Sequence, residues 1–303
     1  MLPLGLLLAW ICVAQETPTF RSDVSLVRLD AEVTDGIRTL NGFRKEDFVV
    51  KDNGQPRQVL YFSQDEVPLD LILLFDISGS MRPNVQRVAV SASAALAELR
   101  PRDRVAIMTF HRTSRIVAPF TEDLAAVERT IDEKIVGGKF RGGTHLLAGV
   151  DDAAKYFLEQ PRNERRRAVL ILTDNYGQRS RKGSTVIHRL WEADASLSGL
   201  IIRGAAEQAV NTVAMAMNPL LLALREGMEG VADKTGGDTL KAGNAGEDFR
   251  EMMRRIRQRY SLYYAMPQGR PGEPRMVRVE LSSEALSRYP NGRVRAPKGY
   301  VMR

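Results

Sequence analysis

The stretch LDLILLFDISGSM, residues 69–81, constrains this chain more than any other. Leu71 to Phe75 and Ile77 are all large and apolar, and the run gives way to Asp76, Ser78 and Ser80 around Gly79. An apolar run of this length, ended by small residues, predicts a buried parallel strand feeding a loop at its carboxyl end. In an open α/β sheet that end is where ligands bind. Three oxygen side chains at i, i+2 and i+4 in such a loop serve a metal, a nucleophile or a turn.

The surrounding pattern supports the sheet. Apolar runs at 69–75, 104–110, 168–173 and 197–202 alternate with helical stretches at 83–99, 123–135, 146–159 and 218–234. That alternation predicts an α/β, Rossmann-like unit: a mostly parallel central sheet with helices on both faces. Pro83 suits a first helical position, and the Ala-rich face that follows suits packing on a sheet. The two ends differ from this middle. Residues 19–63 carry a strand rhythm through Val24, Leu26, Leu29, Ala31 and Val33, and Asp52-Asn53-Gly54 between Val49-Val50 and Val59-Leu60 signals a hairpin. After a charged helix at 246–259 the chain returns to β in YSLYYAM, RMVRVEL and GYVMR. The expectation is that the two β ends meet as a small β-sandwich with the α/β unit inserted between them. The expected organisation is a signal segment at 1–14, a β segment at 15–67, the α/β domain at 68–258 and a second β segment at 259–303, one β domain with the first.

Residues 2–14 are apolar but too short to span a bilayer, and Cys12-Val13-Ala14 offers a small-x-small pattern before Gln15. Export to the periplasm, the cell envelope or the medium is the expectation, although no Lys or Arg precedes the run. Lipidation at Cys12 is the alternative, and the bulky Trp10 and Ile11 speak against it. Cys12 is the only cysteine, so a processed chain has no disulfide, cysteine-based zinc site or thiol nucleophile.

The formal charge of +7 favours an anionic contact: nucleic acid, lipid or an acidic envelope polymer. The basic stretches RNERRR (162–167) and RRIRQR (254–259) have no aromatic interleaving and no recognition motif. They read as solvated surface, so no nucleic-acid partner is expected, while an anionic cell-envelope surface remains compatible with export.

Two further segments speak to the oxygens. RGGTHLLAGV places Gly142-Gly143 before Thr144 and a helix, and AVLILTDNYGQRS ends a buried strand on Thr173 and Asp174. All three segments leave carboxyl ends of strands or neighbouring loops, so Asp76, Ser78, Ser80, Thr144 and Asp174 can converge on one crevice. Two carboxylates, three hydroxyls and water form a hard-oxygen set suited to Mg2+, with Mn2+ and Ca2+ as alternatives.

This constellation resembles the von Willebrand factor type A domain and its metal-ion-dependent adhesion site. The family's Asp-x-Ser-x-Ser is matched by Asp76, Ser78 and Ser80, its distal Thr by Thr144 and its distal Asp by Asp174. The resemblance implies a Rossmann-like fold and a divalent cation whose open position takes a carboxylate from a partner protein. The ends, in DVSLVRLDAEVTD, LNGFRKEDFVVKDNGQPRQVLYFS and the final GY, are similar to bacterial exported proteins known as von Willebrand factor A-related domain proteins. Asn175 stands where the family often has Gly, and Arg179, Arg181 and Lys182 follow closely. A basic cluster near the site weakens cation affinity and favours an acidic ligand.

Plainer roles compete. A lone Asp-x-Ser-x-Ser is usually a turn with its own side-chain hydrogen bonds. Thr144 can cap a helix, and Asp174 can pair with Arg179. Catalysis is less well served: Ser78 stands where a phosphoryl-accepting aspartate motif needs a second Asp. There is no Gly-x-Ser-x-Gly elbow, no phosphate-binding loop motif, and no metal-ligand spacing among His111, His145 and His188. The expected function is therefore non-enzymatic: a cation-centred site that grips an Asp or Glu of a protein partner. A structural envelope scaffold with a vestigial site, and a metal-dependent hydrolase using Asp76 or His145, are the alternatives.

Overall fold

The computed structural model describes residues 25–36, 38–64, 66–140, 142–175, 181–202 and 227–303. The expected signal segment with Cys12, Arg179, and residues 218–226 of an expected helix lie outside the described residues. The elements in chain order begin with β1 (Leu26–Asp35), β2 (Arg38–Thr39), β3 (Phe48–Asp52), β4 (Gln55–Arg57) and β5 (Tyr61–Gln64). The middle comprises β6 (Leu69–Asp76), α1 (Arg82–Ala89), α2 (Ala92–Leu96), β7 (Arg104–Phe110), β8 (Ser114–Thr121), α3 (Leu124–Thr130) and α4 (Leu146–Glu159). It continues through β9 (Arg166–Thr173), α5 (Gly183–Glu192), β10 (Ala195–Ile202), α6 (Met228–Thr235), β11 (Thr239–Ala242) and α7 (Ala245–Arg257). The chain closes with β12 (Tyr260–Ala265), β13 (Pro274–Leu281), α8 (Ser283–Arg288), β14 (Arg293–Arg295) and β15 (Gly299–Val301).

The central sheet runs β11-β10-β9-β6-β7-β8, parallel except for β8 at the edge. Every residue of β6 is buried, and its side chains alternate between two cores. Leu69, Leu71, Leu73 and Phe75 meet α1, α2 and α7 on one face, whereas Ile72 and Leu74 meet α4, α5 and α6 on the other. This is why the sequence shows an unbroken apolar run: a strand covered on both faces has no solvent side to mark with polar residues.

The β ends meet, as the sequence predicts. β1 pairs antiparallel with β12, and β3 pairs antiparallel with β13, giving two facing sheets. Val27, Leu29, Phe48, Val50, Tyr260, Leu262, Val277 and Val279 fill the layer between them. At the β3–β4 turn, Asn53 (φ 46°) and Gly54 (φ 80°) both adopt positive φ, the conformation that lets a two-residue turn follow the strand twist.

Sequence and structure part company in several places. The helix expected over 83–99 is broken at Val90-Ser91. There the start of α7 presses in so closely that a Cβ on Gly246 would lie 2.0 Å from the Ser91 hydroxyl. The strand β8 is not among the expected elements; its Pro119 is tolerated because β8 is an edge strand. The largest correction concerns the basic stretches. Arg166, Arg167, Arg255, Arg257 and Arg259 are not solvated surface; each is at most 6% exposed.

Their burial has an electrostatic cause. Arg166 donates to the carbonyls of Ile256 (2.7 Å) and Arg257 (2.9 Å) at the end of α7 and faces Asp30 at 3.3 Å. Arg257 pairs with buried Asp103 at 2.9 Å, and Arg255 with Asp238 at 2.8 Å. Arg28 of β1 reaches Asp194 at 2.9 Å and the Glu164 carbonyl at 2.6 Å. The Arg28 and Arg166–Asp30 contacts tie the sandwich to the amino-terminal ends of the central strands, on the side of the sheet away from the Asp76 loop.

Candidate metal centre

The chain leaves β6 toward β7 and β8 on one side and returns to β9 on the other. The loops after β6 and β9 therefore diverge, opening a crevice at the carboxyl edge. In that crevice Asp76 ends β6 and Thr173 ends β9.

Asp76 is fully buried, and its two oxygens have different partners. Oδ1 accepts from the Ser78 backbone N–H at 2.9 Å, and Oδ2 accepts from the Thr173 hydroxyl at 2.7 Å. The first of these is the turn bond of the plainer reading. The serine hydroxyls, however, cap no helix. Ser78 Oγ lies 3.3 Å from Ser80 Oγ, and Ser80 Oγ donates to Asp174 Oδ2 at 2.5 Å. The hydroxyls of Ser78 and Ser80 thus lead to Asp174, and the Ser78 backbone N–H ties the same loop to Asp76.

Thr144 stands apart from that cluster. It is 6% exposed, in the loop before α4, and no hydrogen bond joins its hydroxyl to another described residue. It does not cap α4, whose flanking residue is His145. Its loop is drawn toward the crevice by the His145 N–H, which donates to the His111 carbonyl at 2.8 Å. α4 also approaches the end of β7 closely. A Cβ on Gly149 would lie 2.7 Å from the Phe110 ring, so only glycine permits this approach. Gly149→Ala is expected to destabilise the protein by about 1–3 kcal/mol through this overlap. Chemical denaturation measures it, and an unchanged midpoint would refute the packing argument.

Burial pushes the Asp76 carboxyl up to about 6, and the neighbouring charge of Asp174 pushes in the same direction. The Thr173 and Ser78 hydrogen bonds only partly offset this. No Lys, Arg or His pairs with Asp76 among the described residues. A buried carboxylate so placed is a group that a bound cation would relieve.

The donor set fits such an ion. It is all oxygen, with carboxylates and neutral hydroxyls, the preference of Mg2+ and Ca2+. Neighbouring ligands of an octahedron with bonds of about 2.1 Å stand about 3 Å apart. The oxygen separations of 2.5 and 3.3 Å bracket that spacing. No group of three or more His, Cys, Asp or Glu that could hold a metal ion occurs among the described residues.

Sequence reading missed Thr173, which orients Asp76 and also accepts from the Asn175 N–H at 3.0 Å. The available signal was a hydroxyl closing an otherwise apolar strand. Asn175 adopts positive φ (62°), which explains how a non-glycine residue serves at this turn. Arg181 is drawn away to buried Asp151 at 3.4 Å.

Fold and crevice define a doubly wound α/β domain with a carboxylate and hydroxyl cluster at its switch point. Residues 71–178 match the family model of the von Willebrand factor type A domain. Solved structures with similar topology include von Willebrand factor type A from Catenulispora acidiphila. It is 13% identical, with 87% of this chain and 72% of that chain covered and a TM-score of 0.48. An aerotolerance-related membrane protein from Bacteroides fragilis NCTC 9343 is 14% identical, covering 62% of this chain and 98% of its own, with a TM-score of 0.47. The conserved hypothetical protein BatB from Bacteroides thetaiotaomicron is 15% identical, covering 62% and 97%, with a TM-score of 0.46. Likeness of this degree carries no information on ligand or partner. No curated protein matches the chain in sequence.

Proposed function

We propose that the protein is a non-enzymatic interaction module that binds a divalent cation at Asp76, Ser78, Ser80, Thr144 and Asp174 and captures an acidic side chain of a protein partner. The observation that carries this reading is the hydrogen-bonded cluster of Asp76, Ser78, Ser80 and Asp174 at the switch point, with Ser80 exposed at its mouth. Mg2+ is the expected ion, with Mn2+ and Ca2+ as alternatives, and when bound it supplies a Lewis-acid position for an incoming carboxylate. The residues of this chain do the rest. Only two of the five ligands are anionic, so the site is left short of negative charge and receptive to a third carboxylate. Thr173 and the Ser78 N–H hold Asp76 in one orientation, so little ordering is needed on binding. The apolar segment 2–14 supports placement outside the cytoplasm. Among the described residues no helix is long and apolar enough to cross a membrane.

Calorimetric titration of Mg2+ and Mn2+ tests the reading. Wild type is expected to show saturable binding, and Asp76→Ala is expected to show none. Equal titration of the two proteins would place the ion elsewhere and reject the site.

A further inference from the structure

Resting on that reading of the site, we propose that the partner segment presents two acidic groups: one for the cation and a second for a pair of arginines, Arg82 and Arg112, held on the rim. Arg82 comes two residues after Ser80, at the start of α1, and Arg112 lies in the turn between β7 and β8. Both are exposed, and neither pairs with an Asp or Glu among the described residues. The contrast with the opposite end of the sheet is direct. There Arg165, Arg255 and Arg257 are matched to carboxylates at 2.5 to 2.9 Å.

The two rim arginines are nonetheless held in position. The Arg82 guanidinium sits over the Phe140 ring, 5.5 Å from its centroid, a cation–π contact that leaves its N–H edge available. Arg112 lies across Gly143, the residue before Thr144. A Cβ there would stand 2.8 Å from Arg112 Nε, and the φ of +89° at Gly143 independently favours glycine. The backbone of the Thr144 loop thus makes room for a guanidinium beside the crevice. Each arginine offers a planar set of donors that matches a carboxylate. Two such groups flanking a site for one carboxylate complement a segment with a second acidic residue close by, and disfavour a segment with a single acid in basic surroundings.

The probes are short Gly-Ser peptides carrying either one Glu or two Glu separated by one to three Gly, titrated onto the full chain in Mn2+ and again in EDTA. With Mn2+, a two-Glu peptide is expected to bind at least about tenfold tighter than the one-Glu peptide, the effect of one added charge-assisted hydrogen bond. Arg82→Gln with Arg112→Gln is expected to abolish that ratio while Mn2+ still binds, at least as tightly as to wild type. Equal binding of the two peptides to wild type, or a ratio that survives the double substitution, overturns the two-acid proposal and leaves the cation reading standing. A preference for two Glu that persists in EDTA also overturns it, since it shows anion binding independent of the site. Absence of Mn2+ binding to wild type overturns both readings.

Discussion

Asp76→Asn, in metal-free protein at pH 8, is expected to raise stability by about 2 kcal/mol while abolishing cation binding. The sign follows from the direction of the shift. An isolated aspartate ionises near 3.8, but burial and Asp174 push the folded-state Asp76 up to about 6. Below the lower value both states hold the proton and nothing is lost. As pH rises from about 4 to about 6, the unfolded chain releases its proton while the folded one keeps it, and wild type loses about 3 kcal/mol of stability from this group. Above about 6 the loss is constant. Asn carries no charge and escapes it. Part of the gain is forfeited, because the Thr173 hydroxyl proton loses the acceptor it holds at 2.7 Å. Thermal melts from pH 4 to 8 in EDTA should therefore show the two proteins diverging between pH 4 and 6 and staying apart above. Added Mg2+ or Mn2+ should stabilise wild type at pH 7 and leave Asp76→Asn unmoved. A variant less stable than wild type at pH 8 in EDTA would mean that Asp76 is not held against its charge.

Asp52→Ala is expected to cost about 3–5 kcal/mol, the typical result of breaking one partner out of a buried charged network. Asp52 is fully buried at the end of β3, inside the sandwich. Its Oδ1 accepts from Arg275 Nε at 2.7 Å, and its Oδ2 accepts from Tyr264 Oη at 2.8 Å and Tyr300 Oη at 2.9 Å. These partners come from β12, β13 and β15, so one carboxylate joins both sheets and both ends of the chain. Burial and this carboxylate raise the Tyr300 phenol to about 12 and push Tyr264 upward as well. Truncation strands a guanidinium and two hydroxyls in the core. Adding Arg275→Met to Asp52→Ala should recover part of the loss, since the uncompensated charge goes with it. Denaturant unfolding measures both variants. A loss under about 1 kcal/mol would show that water reaches the network.

Much of the α/β unit was legible because its central strands are covered on both faces. β6, β7 and β9 each read as one apolar run, and the expected spans over 104–110 and 146–159 coincide with β7 and α4. Asn53-Gly54 was legible for a different reason: positive φ at consecutive residues restricts the residue types that fit. α5, by contrast, went unread between Asp174 and Leu197, and the π-type turns over Ile131–Val136 that extend α3 have no sequence mark. The Thr130 hydroxyl, which bonds the Ala126 carbonyl at 2.8 Å, is a local cause of that distortion.

By itself the sequence determined the alternation of strands and helices, the hairpin, and the residue types gathered at the end of β6, because burial pattern and turn chemistry act over a few neighbouring residues. Tertiary structure alone decided the rest. The arginines of 162–167 and 254–259 are charged in any local reading, and only the carboxylates and helix-end carbonyls brought to them by distant segments make their burial tolerable. The oxygen cluster is of the same kind. Asp76 and Asp174 lie far apart in sequence, and only the parallel pairing of β6 with β9, Phe75 against Leu172, sets their loops side by side.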